Sequence, residues 1–247
     1  MKMDTSINAY NIHYKILNEK IKILIREGYE EITVQGVCGQ RYIGGGLQSK
    51  KVKIILYGVP GNDLAVFMDG PEIVVMGNAQ DGVGNTMNSG RIVIHGNAGD
   101  IVGHSMRGGE IFVKGDVGYR VGIHMKEYRD MYPVMVIGGS ARNFLGEYMA
   151  GGMIILLGMT ERKYVGNYIG TGMHGGVIYI RESLLRSASL GKEVNIFMAD
   201  TSDMDKIRPY LRRFASYYGF TENKVLKGQF YKIIPITSRP YGKIYTY

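Results

Sequence analysis

The sequence predicts an all-β protein, a single-stranded parallel β-helix of about seven coils with helices flanking it at both ends. Three observations predict it. A glycine returns about every twenty residues, at Gly36, Gly58, Gly77, Gly96, Gly115, Gly138 and Gly158, in steps of 22, 19, 19, 19, 23 and 20. A short apolar-rich strand precedes each one, as in Glu72-Ile-Val-Val-Met-Gly77 and Arg91-Ile-Val-Ile-His-Gly96. The positions four and two before the glycine are always aliphatic, from Ile32 and Val34 in the first frame to Val134 and Val136 in the sixth and Ile154 and Leu156 in the last. Alternation with period two places both columns on one strand face, the interior. Repeats of this length cannot bury a face alone; stacked at about 4.8 Å, they can.

Taken in order, Asp4, Thr5 and Ser6 offer caps for a first helix with apolar residues at Tyr10, Tyr14, Leu17, Ile21, Leu24 and Ile25, stopped by Gly28. The coils follow. Seven or eight residues after each column glycine stands a corner residue, Gly44, Ala65, Gly84, Gly103, Gly122, Gly146 and Gly166. Three further on is an apolar column, mostly methionine: Leu47, Met68, Met87, Met106, Met125, Met149 and Ile169. Methionine fills irregular gaps and suits the inside of a bend. A third glycine group, including Gly90, Gly108-Gly109 and Gly151-Gly152, closes several frames. Val177-Ile-Tyr-Ile180 starts one more strand. Thr201-Ser-Asp203 opens a second helix with a stripe at Ile207, Tyr210, Leu211, Phe214, Tyr217 and Tyr218, ended by Gly219; Phe230 to Ile234 reads as a last strand. The chain thus divides into an N-terminal helical segment (1–30), the β-helix (31–181) and a C-terminal helix with an extended tail (182–247). The helices are expected to cover an open end or a side of the solenoid.

Composition bounds the function. The 247 residues are 45% apolar and carry a net charge of +8. Residues 191–247 hold ten Lys or Arg against five acids, so +5 of the excess lies in the tail. A solvated basic helix face explains that more simply than nucleic acid, for which no fold signature appears. No apolar run reaches bilayer length, and the N-terminus lacks a signal-peptide core. The single cysteine, Cys38, excludes an internal disulfide and fits a reducing, cytoplasmic setting.

The chemistry-bearing residues converge on no site. The histidines are His13, His95, His104, His124 and His174; His104 and His124 are one coil apart but out of column, and His95 lies on another edge. A zinc site needs two or three in reach of one point. Asp81 and Asp100 share a turn column, followed by Arg120; their expected role is to bond backbone N–H groups of successive turns rather than acid–base work. Asn78, Asn97 and Asp116 form a similar ladder. Cys38 has no histidine placed by sequence to activate it. Gly82-x-Gly84 and Gly170-x-Gly172-x-x-Gly175 match dinucleotide loops only superficially and read as coil corners. No cysteine cluster can hold iron–sulfur. No residue is nominated as catalytic, cofactor-binding or metal-ligating.

In register, the coils resemble the GXGXG domain, the β-helical C-terminal domain of the glutamate synthase large subunit. The resemblance is carried by Gly36-Val-Cys-Gly39-Gln40-Arg-Tyr-Ile-Gly44, Asp81-Gly-Val-Gly84, Asp100-Ile-Val-Gly103, Arg107-Gly-Gly-Glu-Ile-Phe-Val113, Glu147-Tyr-Met-Ala-Gly-Gly-Met-Ile-Ile-Leu-Leu-Gly158 and Thr171-Gly-Met-His-Gly-Gly-Val-Ile-Tyr-Ile180. Their order from Gly36 to Ile180 carries more weight than any one of them.

The resemblance implies a right-handed β-helix without catalytic residues, standing alone as in archaeal enzymes whose parts are separate chains. It implies glutaminase-type and FMN/iron–sulfur synthase-type partner subunits, with FMN and iron–sulfur held by a partner and no cofactor in this chain. At the position of Cys38 it implies a small buried residue, so a buried thiol is expected there. No nucleic acid or membrane partner is expected, and self-association is open. A formylmethanofuran dehydrogenase-type redox complex is the related alternative. A free-standing β-helix enzyme or binder, using the Asp81/Asp100 face, is the reading from a different class.

Overall fold

Each coil contributes one strand to a single sheet. The computed structural model describes residues 5–237. Its strands are β1 (Ser6–Asn8), β2 (Glu31–Cys38), β3 (Lys53–Val59), β4 (Asp69–Val75), β5 (Ser89–Ile94), β6 (Glu110–Val113), β7 (Val134–Ile137), β8 (Ala150–Leu156), β9 (Gly175–Arg181), β10 (Val194–Met198) and β11 (Phe230–Pro235). The helices are α1 (Tyr14–Arg26), α2 (Thr201–Tyr218) and α3 (Glu222–Leu226), with a 3-10 turn at Glu182–Ser187. Strands pair in chain order from β1 to β9, all parallel. The chain then returns: β11 pairs antiparallel with β9, and β10 with β11.

The interior follows from the alternation. Ile32, Ile54, Ile73, Ile92 and Ile111 stack in register, as do Val34, Leu56, Val75, Ile94 and Val113, and all are fully buried. The sixth frame corrects the expected register by one residue. Ile111 pairs with Met135 and Val113 with Ile137, so these two face inward, while Val134 and Val136 face out. The column glycine there is Gly139, whose N–H bonds Gly115 O at 2.9 Å. A one-residue slip exchanges the two faces of a strand. Val-Met-Val-Ile carries no alternation to reveal it, because both faces of β7 are buried.

The second buried face is made by α2. Phe112, Val136, Ile155 and Tyr179 on the outside of the sheet pack against Ile207, Leu211, Phe214 and Tyr218. The stripe and the stop at Gly219 (φ 68°) are those expected from the sequence. A capping box starts the helix: Asp200 accepts from Asp203 N–H at 2.9 Å and Asp203 accepts from Asp200 N–H at 3.1 Å. The Asp203 carboxylate is buried beneath the helix and also takes Lys232 Nζ at 2.7 Å and Tyr179 Oη at 2.9 Å. Beside the helix runs a ladder of alternating charge, in which Lys53 faces Glu72, Arg91 bridges Glu72 and Glu110, and Arg213 of α2 closes on Glu110 at 2.7 Å.

The N-terminal expectation changes. Ser6–Asn8 is a strand paired with β2, and α1 starts only at Tyr14. His13 caps it, its Nδ1 accepting from Lys15 N–H at 3.4 Å. Tyr10 therefore stands outside the helix and is exposed. Leu17 and Ile21 close the open end of the core. Asp4, and the tail cations Arg239 and Lys243, lie outside the described residues. No helix among the described residues is long and apolar enough to cross a membrane.

Candidate functional site

The edge opposite α2 is built from a backbone device that repeats in every coil. Three residues at alternate positions adopt the left-handed conformation: Tyr42/Gly44/Gly46, Asp63/Ala65/Phe67, Gly82/Gly84/Thr86, Ile101/Gly103/Ser105, Arg120/Gly122/His124, Phe144/Gly146/Tyr148 and Tyr168/Gly170/Gly172, with φ from 51 to 75°. The first and third of each triplet donate their N–H forward to the next coil, as Ile101 does to Tyr119 O at 2.8 Å and Ser105 to Ile123 O at 2.9 Å. From the second triplet on, the middle residue donates backward, as Gly103 does to Val83 O and Gly122 to Val102 O, both at 2.8 Å. Both directions of stacking are therefore bonded at one corner. The residue after the first of each triplet points inward: Leu64, Val83, Val102, Val121 and Leu145 are all fully buried.

The middle position is glycine for a second reason. A Cβ on Gly122 would stand 2.5 Å from Ile154 Cδ1 of the interior. In the last coil the stacked corner glycine is Gly170, bonded to Leu145 O at 2.8 Å, and the methionine column ends at buried Met173. The expected Gly166 and Ile169 are displaced by four because residues 159–165 lengthen this turn; Gly166 bonds Ala141 O instead. Gly82–Gly84 and Gly170–Gly172 are corner residues, as expected.

The turn before the corner consumes its polar side chains internally. Asp81 Oδ1 accepts from Asp100 N–H at 2.8 Å, and Asp100 Oδ1 accepts from Tyr119 N–H at 2.9 Å. The residue that follows in this column is thus Tyr119, with Arg120 one position on. Asn78, Asn97 and Asp116 repeat the pattern, each bonding the next coil at 2.7 to 2.8 Å, the last of them to Ser140 N–H. Cys38 is exposed, not buried. A bulge between Val34 and Val37 shifts the register, sends Val37 inward and turns Cys38 out.

The histidines stay dispersed. His95 packs edge-on to Tyr218, 5.2 Å between centroids, and its pKa is lowered by burial and then by Lys114. His104 and His124 come within 6.1 Å in neighbouring columns; burial, then His124, lowers the pKa of His104. Among the described residues no group of three or more His, Cys, Asp or Glu is placed to hold a metal ion.

Toward its two ends the corner presents aromatic side chains outward, with Asp63, Thr86, Ile101 and Ser105 among the outer positions between them. Phe67, Tyr168, Tyr148 and Tyr42 are 58, 52, 46 and 40% exposed. Their rings form ladders: His124 on Tyr148 at 5.4 Å and Phe144 on Tyr168 at 5.1 Å, both nearly parallel. Arg120 lies over Phe144 at 5.0 Å and pairs with the buried Glu147 at 3.0 Å. Arg142 covers Tyr119 at 5.3 Å. Sequence reasoning found the middle glycines of this edge but not its side chains, because nothing in a Tyr, Phe or Arg signals a left-handed backbone.

Stacked coils turning on left-handed triplets define a class of glycine-cornered β-solenoid, and the chain belongs to it: it is a member of the GXGXG motif family, matched over residues 12–236. It is 52% identical over 250 residues to Uncharacterized protein MJ1350 of Methanocaldococcus jannaschii, covering 97% of this chain and 95% of that protein. Its fold is similar to a chain in the formyltransferase/hydrolase complex (FhcABCD) of Methylorubrum extorquens, solved with methylofuran. The TM-score is 0.64 at 21% identity, over 84% of this chain and 79% of the other. At that identity the likeness shows the fold alone.

Proposed function

We propose that this chain is a non-catalytic structural subunit of a glutamate-synthase-type complex. It holds a glutaminase subunit and an FMN/iron–sulfur synthase subunit at a fixed separation. The reaction of the complex is reductive transfer of the glutamine amide to 2-oxoglutarate; the chain's contribution is geometric, keeping ammonia production and consumption close enough that the intermediate stays out of bulk water. FMN and iron–sulfur belong to the partner.

One observation carries this reading. The GXGXG family match spans residues 12–236, and the polar side chains of the coil turns are spent on the next coil's backbone. What such a chain offers is a stiff outer surface. Co-expression with the glutaminase-type and FMN/iron–sulfur-type chains of the same organism, followed by size-exclusion chromatography, tests it. One complex containing all three is expected, and separate elution of this chain sinks the proposal.

The likeness to a chain of the FhcABCD complex favours a second reading, the scaffold of a formylmethanofuran-type complex. The same experiment with those subunits separates the two.

A further inference from the structure

We infer that the C-terminal half of the corner edge, centred on Phe144, Tyr148, Tyr168 and Arg142, is the docking face for a partner protein that presents carboxylates around apolar pockets. The inference rests on the subunit reading above and names the surface that reading needs.

The first ground is backbone strain under exposed rings. Left-handed backbone disfavours any residue with a Cβ, most of all bulky ones. Among the described residues, fourteen non-glycine residues have positive φ, and all but Asn11 and Arg129 lie in the corner triplets. The equivalent positions Gly46, Gly82 and Gly172 show that glycine fills the same columns without disturbing the coil. Yet Tyr148 and Tyr168 put half-exposed rings there. Stacking on a neighbouring ring offsets part of the strain, but it does not require the outward half of each ring to be exposed, and that half is surface a partner can use.

The second ground is preorganisation. Ring-on-ring stacking of Phe144 with Tyr168 and of His124 with Tyr148 fixes the side chains before any partner arrives. Rigid aromatic and Arg anchors are the residues that dominate protein interfaces. The same stacks argue against single-stranded nucleic acid, which needs free ring faces for its bases. Here one face of each ring is turned to its neighbour, with interplanar angles of 10 and 15°, and Arg120 lies over the Phe144 ring.

Charge gives the third ground and the chemistry of the occupant. Arg142 and Arg162 line one cleft of about 430 Å³ together with Tyr164. Among the described residues neither guanidinium has an ion-pair partner. Asp116, on the same cleft, has Oδ1 committed to Ser140 N–H and to the Thr160 hydroxyl. Two unpaired guanidinium groups beside a tyrosine fit Asp or Glu side chains of a partner.

The test uses the full chain co-expressed with the glutaminase-type and FMN/iron–sulfur-type subunits, and in parallel with formylmethanofuran-type subunits. The variants are Tyr148→Gly with Tyr168→Gly, Arg142→Glu, and, as a control, Lys20→Glu on α1, which lies beside the first coils and not beside the C-terminal half of the edge. Affinity is expected to fall roughly tenfold or more in the first two and to hold in the control. The melting temperature of the glycine pair is expected to be unchanged or higher, since glycine relieves the left-handed strain; a purely structural role for the rings predicts a lower one. Unaltered affinity in both edge variants overturns the inference while leaving the subunit reading intact. Assembly-induced hydrogen-exchange protection confined to β2–β4 does the same. Failure of the wild-type chain to join any subunit overturns both. Binding to poly(U) RNA that the edge variants abolish, without subunit association, also overturns both.

Discussion

At the scale of single residues, the corner sets two different demands on glycine, and they separate cleanly by mutation. Gly46 has φ +64° with open space where a Cβ would go, whereas Gly122 has φ +74° and a Cβ position 2.5 Å from Ile154 Cδ1 and 3.1 Å from Met135 Cε. Gly46→Ala carries only the left-handed penalty, about 1 kcal/mol. Gly122→Ala adds overpacking of a filled interior and is expected to cost about 2–4 kcal/mol. Urea unfolding midpoints check the order; equal losses would mean that the interior yields to the extra methyl. The middle glycines were legible in the sequence because their demand recurs from coil to coil, with Ala65 the one substitute among the seven triplets. The outer corner residues were not, since a strained position tolerates Tyr, Phe, Ile, Arg or His and leaves no pattern. The Asp81 and Asp100 ladder was legible for the opposite reason: a short carboxylate in a repeated turn has the next backbone N–H within reach.

Among elements, α2 decides most. Its central anchor, Phe214, is fully buried between the helix and the outer face of the sheet. Phe214→Ala is expected to cost about 3–5 kcal/mol by thermal or urea unfolding, the range for an aromatic deleted from a packed core. The helix is also latched electrostatically. Burial pushes the Asp203 carboxyl upward, but hydrogen bonds from Lys232, the Asp200 N–H and the Tyr179 hydroxyl outweigh it and hold its pKa below the usual aspartate value. A depressed carboxylate stabilises fully above its unfolded value, near ~3.9, and that share is lost as pH falls through the lower folded value. Lys232→Met is therefore expected to be less stable than wild type at pH 7. The gap should close as pH is taken from 5 towards 2. A gap that stays constant over that range would show that Asp203 does not act through its charge. The helix itself was readable from its stripe and stop. The strand beneath it was misread by one residue, because covering the outer face of β7 removed the polar half of the alternation from which register is read. β10 escaped notice: it is a short strand that pairs only after the chain reverses, so no period marks it.

Across the whole molecule, the solenoid is packed unequally along its length. Inside, every coil rests on the same aliphatic columns. Outside, α2 and its neighbours cover Val93, Phe112, Val136, Ile155 and Tyr179, while the earlier end of the same face leaves Tyr57, Val59 and Met76 exposed. Repeat proteins gain stability from each coil and its immediate neighbours, so local openings need not involve the whole stack. Strands held from both sides should open less often than strands held from one. Native-state hydrogen exchange is expected to protect peptides containing β7 and β8 more strongly than those containing β3 and β4, even though all four strands lie within a continuous parallel ladder. Truncating Phe214 to alanine should then narrow the difference by releasing the second layer, with little change at β3. If the two halves instead exchange at one common rate in the wild type, the coils unfold as a single cooperative unit and α2 stabilises the first coils as much as those it touches. The gradient also bears on assembly: a partner that covers the exposed end of the sheet would raise protection at β3 and β4, whereas one that docks on the corner edge would leave the gradient standing.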